Sequence, residues 1–90
     1  MSMAAWPLGE RPREKLLHKG ASSLSDAELL AVLLQTGTEG KTSLDIARDL
    51  LSRYGGLIGL MAADGVSLTE NPGIGAAKAA RFVAMKELAQ

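Results

Sequence analysis

The sequence predicts an all-α domain, a compact bundle of five to six helices, and three observations carry that expectation. Leu and Ala, both strong helix formers, supply 15 and 14 of the 90 residues, against ten for Val, Ile and Thr together. Apolar residues recur at helical spacing through most of the chain. Capping residues, glycines and prolines fall where helices need to start and stop. Ninety residues make one domain, because a chain this short buries only about 60–65% of its unfolded surface in a single core.

Residues 1–10 hold Pro7 and Gly9 and show no period, so they read as a flexible N-terminal arm with Trp6 as an anchor. The domain proper is expected over 11–90. A short helix begins with Pro12 in its first turn, where a missing N–H costs nothing, and stops at Gly20. Ser25 and Glu28 form a capping box for the second helix, with Leu24 and Leu29 placed as a hydrophobic staple. That helix is apolar nearly all round through Leu34 and is expected to be the buried centre. It should stop near Gly37, since Gly37 and Gly40 both tolerate positive φ. Thr42 or Ser43 caps the third helix, whose inward stripe is Leu44, Ile46, Ala47, Leu50, Leu51 and Tyr54. Gly55-Gly56 ends it. A short turn follows over Leu57 to Met61, then a segment capped by Asp64, then one long helix from Gly75 to Gln90.

Composition narrows the chemistry. Ten basic residues balance ten acidic ones, with one histidine and no cysteine. Disulfides, thiolate catalysis, iron–sulfur ligation and cysteine zinc sites are therefore excluded. No apolar run approaches the roughly 20 residues that cross a bilayer, and the first 13 residues lack the basic-then-apolar pattern of a secretory signal. A cytoplasmic protein with no membrane partner is the expectation. With zero net charge, any attraction to nucleic acid has to come from a local patch.

One segment supplies such a patch. Leu68-Thr69-Glu70-Asn71-Pro72-Gly73-Ile74-Gly75-Ala76-Ala77-Lys78-Ala79 has the pattern of a helix–hairpin–helix motif. Pro72 fixes the exit from the first helix, Gly73 and Gly75 let the backbone turn, and Ile74 folds beneath the turn. The amides of residues 73–77 then sit at the positive end of the last helix, where a DNA phosphate is the natural ligand. Lys78 and Arg81 share a face and add charge; Lys78 is expected to be exposed. From 71 to 90 the basic residues Lys78, Arg81 and Lys86 face Glu87 alone. Contacts of this kind touch only phosphates, so binding would be independent of base sequence and weakened by salt. The same glycines would also serve a plain corner between two packed helices. A degenerate second hairpin reads at Gly37, Thr38, Gly40 and Lys41, without the proline or the central apolar residue; an ordinary glycine-rich loop is the alternative there.

Four segments in order, Arg11-Pro12-Arg13-Glu14-Lys15-Leu16-Leu17-His18-Lys19-Gly20, Leu24 through Gly37, Tyr54-Gly55-Gly56-Leu57 and Gly73 through Ala79, resemble the N-terminal region of RadC-like bacterial proteins. The resemblance implies a helix–hairpin–helix domain followed in the parent by a JAB/MPN-type zinc metallohydrolase domain, in a family labelled as DNA repair proteins. Such a zinc site takes two His and an Asp with a Glu base, and this chain has only His18. The resemblance thus implies a domain without catalytic site, metal or cofactor, zinc being expected only in the absent C-terminal domain. His18 reads as a solvated helix-terminal residue, and Glu10, Glu14, Asp26 and Glu28 as first-turn carboxylates placed against helix dipoles. Two functions follow: a DNA-binding module, or an interaction domain that docks on or positions the parent's own JAB/MPN domain. The last helix is apolar in nearly every direction, and Phe82, Met85 and Ala89 are the expected docking surface for the second.

Overall fold

A computed structural model of the protein describes residues 11–90, so the expected arm, with Trp6, lies outside the described residues. Six α-helices follow one another: α1 (Pro12–Lys19), α2 (Asp26–Leu34), α3 (Ser43–Arg53), α4 (Leu57–Met61), α5 (Gly65–Leu68) and α6 (Ala76–Leu88), with a 3-10 turn at Ala21–Ser23. The fold is all-α, as the composition and periodicity predict. Among the described residues no helix is long and apolar enough to cross a membrane.

The starts of the helices are written locally. Pro12 opens α1, and Gly20, at φ 87°, closes it by donating its N–H to the Leu16 carbonyl. Ser25 Oγ accepts the Glu28 amide at 3.2 Å while Glu28 Oε1 accepts the Ser25 amide at 2.9 Å, so both halves of the capping box form. Glu28 also receives Lys15 Nζ at 3.0 Å, which ties α1 to α2. The Ser25 amide first, and Lys15 second, hold the Glu28 carboxyl below its ordinary pKa. At α3 the cap is Thr42, again in a reciprocal box, with Asp45. Asp64 caps α5 by accepting the Ser67 amide at 2.7 Å.

The core gathers Leu30, Ala31 and Leu34 of α2, Leu44, Ile46, Ala47 and Leu50 of α3, and then Leu60, Leu68, Ile74, Ala79 and Phe82. Helices α2 and α3 share its centre: α2 packs against α1, α3 and α6, and α3, packed against α2 and α4, holds Ile46 and Ala47 at 1% and 0% exposure. Leu29, Val32 and Leu33 of α2 remain half-buried. Phe82 is also inside, at 6% exposure, and Met85 packs against the core, so of the three residues expected on a docking face only Ala89 is exposed. Helix α6 is held there by Lys86, whose Nζ donates to the Met61 and Ala63 carbonyls at 2.8 and 3.0 Å and lies 5.7 Å from the Phe82 ring centre.

Helix α2 ends sooner than its glycines suggest. Gln35 sits at φ 67°, ψ −54°, and the Thr36 amide reaches back to the Leu34 carbonyl at 2.8 Å. This is a γ-turn with positive φ at its centre, a strained form for a residue with a side chain. Gln35→Gly should relieve that strain and, after the entropy of a freer unfolded chain, raise stability by about 1 kcal/mol, or about 4–8 °C in Tm. Thermal unfolding followed by circular dichroism checks it; a lower Tm would mean the Gln35 side chain contributes more than the strain costs.

Candidate functional site

The 71–75 turn is closed by the Ile74 amide, which donates to the Asn71 carbonyl at 3.0 Å. Pro72 stands at the second position and Gly73, at φ 87°, at the third. Proline presets the first corner and glycine accepts the positive φ of the second, which makes a type II turn. Asn71 seats it: this side chain is 6% exposed, and its Nδ2 donates to Tyr54 Oη and to the Leu68 carbonyl, each at 3.0 Å. Ile74, 5% exposed, lies beneath the turn in the core.

One of the expected phosphate-binding amides is therefore already spent. The Ile74 amide is consumed by the turn. Gly73 lacks a side chain because the fold leaves no room for one: a Cβ there would lie 2.6 Å from Ile46 Cδ1 and 3.4 Å from Thr38 Cγ2. Its bare surface packs on α3 and on the 36–41 loop. Gly75 differs, with open space where a Cβ would stand.

Beyond Gly75 the chain enters α6 with its donors bare. The first hydrogen bond of that helix runs from the Ala79 amide to the Gly75 carbonyl at 3.1 Å, and no side chain caps the start. Gly75, Ala76 and Ala77 are exposed, and their amides have no acceptor among the described residues. The side chains that cap α2, α3 and α5 have no counterpart here. The end of α6 carries its full partial positive charge toward solvent.

The cations around this end divide sharply. Lys78 is half-buried, not exposed: its Nζ donates to the Thr36 carbonyl at 2.6 Å and to the Gly73 carbonyl at 3.2 Å. Desolvation, with a smaller push from Arg81, lowers its pKa below the usual lysine value. Lys86 is likewise turned onto carbonyls. Arg81 remains exposed, with no side-chain partner among the described residues. Glu70 and Ala76 share a shallow groove between α5 and α6 that also holds Val66, Ala80 and Val83. Asp64 lines the same groove, so two carboxylates stand on that side of α6.

The expected second hairpin is brought alongside. Thr38 and Lys41 pair through two backbone hydrogen bonds of 3.0 Å, with Glu39 and Gly40 at the tip. Lys41 is ion-paired with Asp49 of α3, so its charge is answered within the domain. Gly37 is needed for close approach, since a Cβ would collide with the Lys41 carbonyl oxygen and lie 2.8 Å from Thr42 Cα. Residues to which the sequence assigns no site role do much of the joining: Asn71 and Tyr54 seat the turn, and Thr36 offers the carbonyl that Lys78 holds. The alternation of long apolar and polar positions carries no sign of a carbonyl acceptor, so only Asn71, beside Pro72, had a readable signal.

What the fold and this corner define is a small all-helical module in which a tight turn presents an open helix end. The family described as UPF0758 N-terminal matches residues 3–80, and the chain belongs to that family. A UPF0758 protein of Thioalkalivibrio sulfidiphilus is 56% identical over 88 residues, covering 98% of this chain and 40% of the relative. One from Cupriavidus taiwanensis is 56% identical over 90 residues, with 100% and 40% covered, and one from Pseudomonas syringae pv. tomato is 51% identical with the same coverage. The chain spans about 40% of the length of these relatives. No solved structure matches it.

Proposed function

We propose that this domain is a non-catalytic helix–hairpin–helix module that holds DNA through backbone phosphates, without reading base sequence. The observation that carries the reading is the uncapped, exposed start of α6 at Gly75, Ala76 and Ala77, directly after a tight turn. A phosphate oxygen there would accept two or three amide hydrogen bonds and lie at the positive end of a helix of 13 residues. Arg81, one turn further along, can reach a neighbouring phosphate, and Lys78 braces the turn from beneath through the Thr36 and Gly73 carbonyls. The 36–41 loop, lying beside the turn, offers the second point of contact for a duplex through Thr38 and Gly40.

In the whole protein, the RadC-like resemblance supports a bacterial cytoplasmic role in DNA repair, with this module delivering a C-terminal JAB/MPN zinc hydrolase domain to its site. The domain over 11–90 itself needs no cofactor for such a role. A second reading is favoured by the groove between α5 and α6, where Val66 is 77% exposed and Val83 38%. That apolar strip suits docking of the parent's own downstream domain.

The test is a titration of the isotope-labelled domain with a short duplex. At low salt the amides of 75–77 should shift, and log affinity should fall with log salt with a slope of about −2, as expected for roughly two phosphates neutralised. An absence of shifts at low salt rejects DNA binding.

A further inference from the structure

We infer that Lys78 is a positioning residue that locks the 36–41 loop and the 71–75 turn into one surface, and that it makes no direct contact with phosphate. The inference rests on the DNA-binding reading for its purpose, and on geometry for its mechanism. Lys78 Nζ is bonded at once to the Thr36 carbonyl, 42 residues away in sequence, and to the Gly73 carbonyl. These two acceptors belong to the two loops that together would face a duplex. The Thr38 methyl also lies beside the turn, 3.4 Å from where a Cβ on Gly73 would stand. Removing the ammonium takes away both of its hydrogen bonds to these loops.

The conformation of the first loop points the same way. Thr36 directly follows Gln35, whose positive φ and γ-turn swing the chain out of α2. The swing leaves the Thr36 carbonyl within 2.6 Å of Lys78 Nζ. A strained turn of this kind persists where its surroundings hold it, and the charge-assisted bond from Lys78 is one such hold. Burial also costs the ammonium part of its hydration, which is consistent with its depressed pKa and unlike an exposed lysine waiting for a counterion. Two of the three donors of the ammonium are spent on backbone carbonyls.

Three measurements decide this. In the wild-type domain, the Lys78 ammonium protons should exchange with water slowly and keep their chemical shift when duplex is added; exchange as fast as that of exposed Lys19 overturns the proposal. In Lys78→Gln, the amides of 36–41 should shift and lose protection, while Lys78→Arg, which keeps two donors, should restore the wild-type pattern. With DNA, Lys78→Gln should weaken binding about three- to tenfold at every salt concentration with the salt slope unchanged. A direct contact would instead make the slope shallower by about 0.9, and that result also overturns the proposal. If the wild type binds no DNA, the functional reading fails, and the exchange and amide measurements still decide whether Lys78 joins the loops.

Discussion

Replacing Gly37 by alanine is expected to lower stability by about 3–5 kcal/mol and Tm by more than about 12 °C, enough to leave much of so small a domain unfolded at physiological temperature. The added Cβ would fall onto the Lys41 carbonyl oxygen and within 2.8 Å of the Thr42 Cα and carbonyl carbon. None of these atoms is the loose end of a side chain. Lys41 is fixed by two backbone bonds to Thr38, and Thr42 by the capping box that starts α3. Relief therefore requires opening the bridge or displacing the cap, and loss of such a cap alone costs about 1 kcal/mol. Gly40→Ala is the informative control. Gly40 has φ 83° but nothing within 4 Å of its Cβ position, so it should lose only the backbone cost of about 1 kcal/mol. Denaturant unfolding of both variants ranks them; equal losses would mean that close approach at Gly37 is not what the fold requires.

That contrast shows what a sequence can and cannot display. Two glycines three positions apart invite one explanation, positive φ, which holds for Gly40 and not for Gly37. Signals confined to four residues were legible because both partners lie in view: Ser25 with Glu28, Asp64 with the Ser67 amide, Pro72-Gly73 in a type II turn. Thr42 and Ser43 were equally good caps on paper, and the Asp45 side chain, three residues after Thr42, decides between them. The destinations of long side chains were not legible. Lys78 and Arg81 read as a phosphate-facing strip on α6, with Lys86 adding to the local charge, yet the acceptors of Lys78 and Lys86 are carbonyls 42 and 25 residues away, and a carbonyl carries no residue-type signature. The fold turns most of the apparent local charge inward and leaves Arg81. The γ-turn at Gln35 was hidden for the same reason, since nothing in a glutamine announces a positive φ.

A carboxylate placed at residue 77 should separate binding from folding, because it acts on the two with opposite sign. Ala77 is exposed in the first turn of α6, at an end that no side chain caps. In Ala77→Glu the new charge faces the positive end of the helix and stands four residues before Arg81, so stability should rise by about 0.3–1 kcal/mol. The same charge occupies the space a phosphate would take and engages the exposed arginine. Repulsion between two unit charges about 4 Å apart is roughly 1 kcal/mol in water and about 4 kcal/mol near a protein surface, so affinity for duplex should fall tenfold or more at low salt. Ala77→Lys should reverse both effects, with a slightly lower Tm, tighter binding and a salt slope steeper by about 0.9. A variant that merely damaged the domain would lose stability and binding together. If both substitutions leave affinity untouched while the parent domain binds, phosphate is held away from the α6 end, and the open amides of residues 75–77 are a feature of the helix start alone.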